Sequence, residues 1–127
     1  MARILIVEDE GGLATNLARA LAQVGHLVTI ATNSAQGLQV GIATNPDVLV
    51  ADWMLRSRLH GGEVAQRIRS ACPHTRVIII SGYFDGLDIA QSEFGDSIDH
   101  VLAKPFRLNV LTNAVDRVLG SEFEHSP

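Results

Sequence analysis

Cysteine is nearly missing from this chain: Cys72 is the one thiol among 127 residues. That excludes a disulfide framework and a cysteine metal cluster within it. Positive charge is also scarce. Ten Lys and Arg stand against 14 Asp and Glu, for a formal net charge of −4. A nucleic-acid surface needs clustered Lys and Arg, so direct nucleic-acid binding is not expected. No apolar run approaches the roughly 20 residues of a membrane span. Met1 leads into an apolar run with no charged leader or signal core, so a cytoplasmic location is expected. Repeats, low-complexity stretches and linkers are missing as well. What is present is 46% hydrophobic and 19% charged, enough for the core of one compact domain. The expected division is a domain over residues 1–120 and a short polar tail over 121–127. The start at Met1 and the short tail favour a stand-alone protein over an excised piece.

Apolar runs punctuate the chain at Ile4–Val7, Leu27–Ala31, Val48–Ala51, Val77–Ile80 and Ile98–Ala103. Continuous rather than alternating apolar character predicts strands covered on both faces, as in a parallel sheet. Helical spacing fills the intervals. Leu13, Leu17, Leu21 and Val24 form one stripe, with Gly25 as its stop. Asn33 or Ser34 can cap a second helix carrying Leu38 and Ile42, which ends before Asn45-Pro46. Val64, Ala65, Ile68 and Ala71 mark a third, closed by Cys72-Pro73. A weaker pattern around Leu87–Phe94 suggests a fourth. Leu108, Leu111, Val115, Val118 and Leu119 form the last, stopped by Gly120. Alternating strands and helices predict an α/β three-layer sandwich: a five-stranded parallel sheet, flavodoxin-like order 2-1-3-4-5, with five helices.

In such sheets sites form beyond the carboxyl ends of the strands. Glu8 and Asp9 follow the first apolar run, Asp52 the third, Ser81 the fourth, and Lys104-Pro105 the fifth. A single acid past a strand is ordinarily a solvated loop residue, and so is a lone serine or lysine. Four adjacent strand ends that converge read differently. Three carboxylates in a cup suit Mg²⁺, which takes oxygen ligands and keeps some waters. The lysine and hydroxyl suit an anionic group across the cup. Together these groups fit phosphoryl transfer, in which an Asp carboxylate can be the nucleophile.

The segments "ILIVEDE", "VLVADWML", "VIIISGY" and "VLAKPF" together resemble the signatures of the response-regulator receiver domain of two-component signalling. The likeness covers about residues 3 to 119. It implies that Asp52 is the phosphoacceptor for a phosphohistidine on a sensor histidine kinase or histidine phosphotransfer protein. Asp9 and Asp52 would bind Mg²⁺ directly, Glu8 through water, and Met54 by its main-chain carbonyl. Ser81 and Lys104 would contact the phosphoryl group, and Lys104–Pro105 would be cis. The implied role is a signalling phosphoacceptor rather than an enzyme, acting on an unidentified downstream protein without membrane contact.

The chain departs from the family pattern in several places. Val101, next to His100, stands where receivers commonly carry an aromatic switch; Tyr83 and Phe84 are the nearest rings that could substitute. The loop after Asp52 is one residue longer and carries Arg56, Arg58 and His60, a basic rim suited to an anionic donor or an acidic partner face. Gly11-Gly12 weaken the first helix start and allow close approach by a partner. Trp53 is expected at the rim of the site and Cys72 at a helix end, inert. His26, His60, His74 and His125 lack metal-ligand spacing. Three other readings fit less well. A Mg²⁺-dependent phosphohydrolase generally has an acid two residues after its Asp nucleophile, where this chain has Met54. A flavin carrier cradles a phosphate after its first strand, where Glu8, Asp9 and Glu10 would repel it. A receiver-like interaction module that is never phosphorylated conflicts with the full set of site residues.

Overall fold

The computed structural model of the protein describes residues 1–55, 59–82 and 94–120. Five strands, β1 (Arg3–Val7), β2 (Leu27–Ala31), β3 (Val48–Asp52), β4 (Arg76–Ser81) and β5 (His100–Ala103), form one sheet in the order β2-β1-β3-β4-β5. Every pairing is parallel. The helices between them are α1 (Gly11–Gln23), α2 (Ser34–Thr44), α3 (Gly61–Ala71) and α4 (Leu108–Leu119), with a 3₁₀ turn at Gly95–Ser97. The expected sheet and its order are therefore found. The helix expected around Leu87–Phe94 falls almost entirely outside the described residues, as does the tail after Gly120.

The unbroken apolar strands follow from the two faces they serve. Ile4, Ile6, Val48, Val50, Ile78 and Ile80 pack with Leu17 and Leu21 of α1 and Leu111, Val115 and Leu119 of α4. The alternate residues, Leu5, Val7, Leu49, Ala51, Val77 and Ile79, pack with Val64, Ala65 and Ile68 of α3. Each fully buried Ile or Leu stabilises the fold by roughly 1.5–3 kcal/mol relative to exposure. Helix α2 meets the sheet differently from the expected Leu38 and Ile42 stripe. Ile42 is half exposed, and the buried positions include Gly37 and Gly41. A Cβ at Gly37 would press on Val7, and one at Gly41 on Ile68, so α2 sits too close for larger residues.

Local chemistry sets the helix ends. Asn33 caps α2 by accepting from Gln36 N–H at 2.8 Å, and Asn45 closes it in the left-handed region at φ 50. Gly25, at φ 95, turns the chain after α1 as expected. Helix α1 begins at Gly11, and its N-cap residue Glu10 gives no side-chain cap. Strand β5 starts two residues later than the apolar run suggested, because the 3₁₀ turn consumes Gly95–Ser97 and leads into Ile98. Among the described residues no helix is long and apolar enough to cross a membrane.

Candidate functional site

Because all strands are parallel, their carboxyl ends lie on one side, and the register brings them level. Asp52, the last residue of β3, pairs with Ile80 of β4, and Trp53 N–H donates to the Ile80 carbonyl at 2.8 Å. Ser81, the last residue of β4, pairs with Ala103 of β5, and Lys104 N–H donates to the Ser81 carbonyl at 2.7 Å. Glu8 N–H continues β1 by donating to the Ala31 carbonyl at 3.0 Å. The Lys104–Pro105 bond is cis, as the sequence suggested.

Asp52 is 4% exposed, and both carboxylate oxygens are engaged. Met54 N–H donates to Oδ1 at 2.9 Å, and Lys104 Nζ donates to Oδ2 at 2.6 Å. The same ammonium lies 3.7 Å from Glu8 Oε1. Glu8 is 1% exposed, and among the described residues neither of its oxygens has a hydrogen-bond partner. Burial pushes its pKa up to about 8, and hydrogen bonding with Asp52 and the charges of Asp52 and Asp9 add to this against Lys104. A bond between the two carboxyls needs one of them protonated, so Glu8 lacks a donor as a carboxylate and gains a partner as an acid. Burial works against the Lys104 ammonium, but the Asp52 bond and the charges of Asp52, Glu8 and Glu10 prevail and raise its pKa.

The opening acids are therefore not simply solvated. Two buried carboxylates share one ammonium, an arrangement that a small hard cation would relieve. Among the described residues no three His, Cys, Asp or Glu side chains gather closely enough to hold an ion by themselves. Glu8, Asp9 and Asp52 would need water and a main-chain carbonyl such as that of Met54 to complete a shell. Mg²⁺, which keeps several waters, fits that donor set.

The site residues fall out as follows. Glu8, Asp52, Met54 and Lys104 are joined by the contacts above. Asp9, half buried, follows Glu8 at the end of β1, and Ser81, 1% exposed, ends β4 beside them. Met54 itself is half exposed. Val101 lies half buried on β5. Tyr83, Phe84, Arg56, Arg58 and His125 lie outside the described residues.

Two expectations are corrected. Trp53 is not at the rim: it is 7% exposed and packs in the core against α3. His60 is more firmly held than a solvated rim residue: its side chain is 34% exposed, and its ring stacks on Trp53 with ring centroids 4.4 Å apart. Its Nδ1 caps α3, accepting from Gly62 N–H at 3.1 Å and Glu63 N–H at 3.3 Å. The sequence signal was present in "HGGE": a polar acceptor just before a helix start.

Similarity to known proteins agrees with this geometry. The sequence profile of the family described as "Response regulator receiver domain" matches residues 4–116. The response regulator ArlR of Staphylococcus haemolyticus is 32% identical over 120 residues, 94% of this chain and 53% of that protein. The response regulator MprA of Mycobacterium ulcerans is 30% identical over 109 residues, 86% of this chain and 46% of that protein. The chain thus spans about half the length of these curated relatives. A response regulator receiver domain protein from Clostridium thermocellum superposes with a TM-score of 0.88 at 26% identity, covering 99% of this chain and 100% of that one. TrrA of Thermotoga maritima, solved in complex with Mg²⁺ and BeF, gives 0.81 at 25% identity, covering 93% and 99%.

Proposed function

This chain belongs to the response-regulator receiver domain family, and we propose on that premise that Asp52 accepts a phosphoryl group in a Mg²⁺-dependent reaction. The donor is a phosphohistidine on a sensor histidine kinase or a histidine phosphotransfer protein. A carboxylate oxygen of Asp52 attacks phosphorus, the P–N bond breaks, a P–O bond forms, and the departing imidazole takes up a proton. The observation that carries this reading is the fixed acceptor: Asp52 is buried between Met54 N–H and the Lys104 ammonium, with Glu8 beside it.

Each residue has a defined task. Met54 N–H orients the Asp52 carboxylate. Lys104 holds it now and would pair with the phosphoryl oxygens afterwards, as an ammonium placed where negative charge arrives. Ser81 offers a hydroxyl to a phosphoryl oxygen. Glu8, Asp9, Asp52 and the Met54 carbonyl would hold Mg²⁺, which when bound neutralises charge on the transferring oxygens. The added charge would shift an existing equilibrium of the surface around the last strands and change binding to a downstream protein. Met54 carries no acid, so the phosphohydrolase alternative lacks its proton-transfer group.

Beryllium fluoride with Mg²⁺, a phosphoryl mimic, tests the reading. Trp53, the chain's one tryptophan, follows the acceptor directly. Its fluorescence should change on adding both reagents, and not in Asp52→Asn. An equal response in the variant would remove Asp52 from the role.

A further inference from the structure

The loop between β3 and α3 leaves Asp52, carries Met54 and returns at His60. Its two ends are tied together. Gly61 N–H donates to the Trp53 carbonyl at 3.1 Å. The His60 ring stacks on Trp53 at 4.4 Å, with the ring planes 29° apart. Phe94, just before the 3₁₀ turn that leads to β5, meets both edge-on, at 5.8 Å from Trp53 and 5.2 Å from His60. His60 Nδ1 accepts two helix N–H groups, so the proton sits on Nε2, which faces Glu63 Oε1 at 3.1 Å. Both ring nitrogens of this histidine are therefore engaged, and one ring face packs on Trp53.

The surroundings leave the clamp no slack. A Cβ on Gly61 would collide with the Asp52 carbonyl oxygen. A Cβ on Gly62 would come within 2.6 Å of the Trp53 ring, 2.9 Å of Phe94 and 3.2 Å of His60. Gly61 thus lets the helix start approach the main chain at Asp52, and Gly62 leaves room for the three rings to meet.

We propose that His60 is a positioning residue for the acceptor: through Trp53 it fixes the main chain at Met54, whose N–H holds Asp52 Oδ1. Asparagine at position 60 could cap α3 but offers no ring, and phenylalanine offers a ring but no cap. Histidine supplies both, and through Phe94 it also ties the acceptor loop to the approach of β5. The role in phosphoryl acceptance rests on the function proposed above; the hold on Met54 does not.

Amide hydrogen exchange resolved by residue separates the two tasks. His60→Asn should keep the slow exchange of Gly62 and Glu63, while Met54 exchanges roughly three- to tenfold faster, the size expected from a lost ring pair. His60→Phe should do the reverse: faster Gly62 and Glu63, unchanged Met54. Gly62→Ala should resemble His60→Asn at Met54. In the same samples Mg²⁺ affinity, read from Trp53 fluorescence, should follow Met54 exchange. Met54 exchange unchanged in His60→Asn, or all amides accelerated alike in both His60 variants, would overturn the proposal. A parent protein that binds no Mg²⁺ would count against the proposed function, while the exchange pattern would still decide the clamp.

Discussion

Glu8 carries the largest electrostatic tension among the described residues. It is buried, it lacks a hydrogen-bond donor, and it faces Asp52 across a single shared ammonium. Burying an uncompensated carboxylate costs stability, and a neutral isostere avoids that cost. Glu8→Gln should therefore stabilise the metal-free protein by about 1–2 kcal/mol at pH 9, where the parent's Glu8 is ionised, as read by denaturant unfolding. It should also weaken Mg²⁺ binding. A less stable variant would show that Glu8 has a partner this account does not include. Asp52, Ser81 and Lys104 were legible from the sequence because each sits at or next to the end of an apolar run. The burial of Glu8 was not, since three adjacent acids look the same whether solvated or enclosed. Trp53 and His60 were misplaced because ring stacking joins residues across a loop, and residue spacing does not encode it.

At the level of elements, stability is unevenly distributed. Helix α3 has a side-chain cap, whereas α1 opens on Glu10, Gly11 and Gly12 without one. Neither glycine has neighbours where a Cβ would go, and neither has positive φ. Gly11→Ala should stabilise the fold by about 0.5–1 kcal/mol in thermal or chemical unfolding. A loss would mean that the helix start needs glycine's backbone freedom. The β1–β2 edge depends on pH. Ala2 N–H donates to His26 Nδ1 at 3.0 Å, a bond that only the neutral ring accepts. Burial, with the N-terminal ammonium, lowers the His26 pKa against the opposing pull of Asp116. The contribution is thus complete above the ordinary histidine pKa and is lost as pH falls through the lowered one. The parent should lose more melting temperature than His26→Gln between pH 7 and pH 5; an equal loss would remove His26 from the edge. Strand positions were readable because a doubly covered strand must be apolar throughout. The α2 face was not, because its packing uses glycine, which an apolar stripe does not register.

Across the whole molecule, the parallel sheet gathers the ends of β1, β3, β4 and β5 on one side, while its two faces are closed by helices. Core and site are thus built from the same strands, with apolar residues along their length and polar ones at their tips. The order was legible because five alternating units leave few topologies for right-handed crossovers. The ring contacts beyond the tip of β3 were not, since nothing periodic governs them. In the proposed function these tips make Asp52 a phosphoacceptor. Intact-mass spectrometry after incubation with acetyl phosphate and Mg²⁺ tests it most directly. The parent protein should gain one phosphoryl group, with none in Asp52→Asn and none without Mg²⁺. A gain that persists in Asp52→Asn, or a folded parent that gains nothing from acetyl phosphate or a phosphorylated histidine donor, would contradict it.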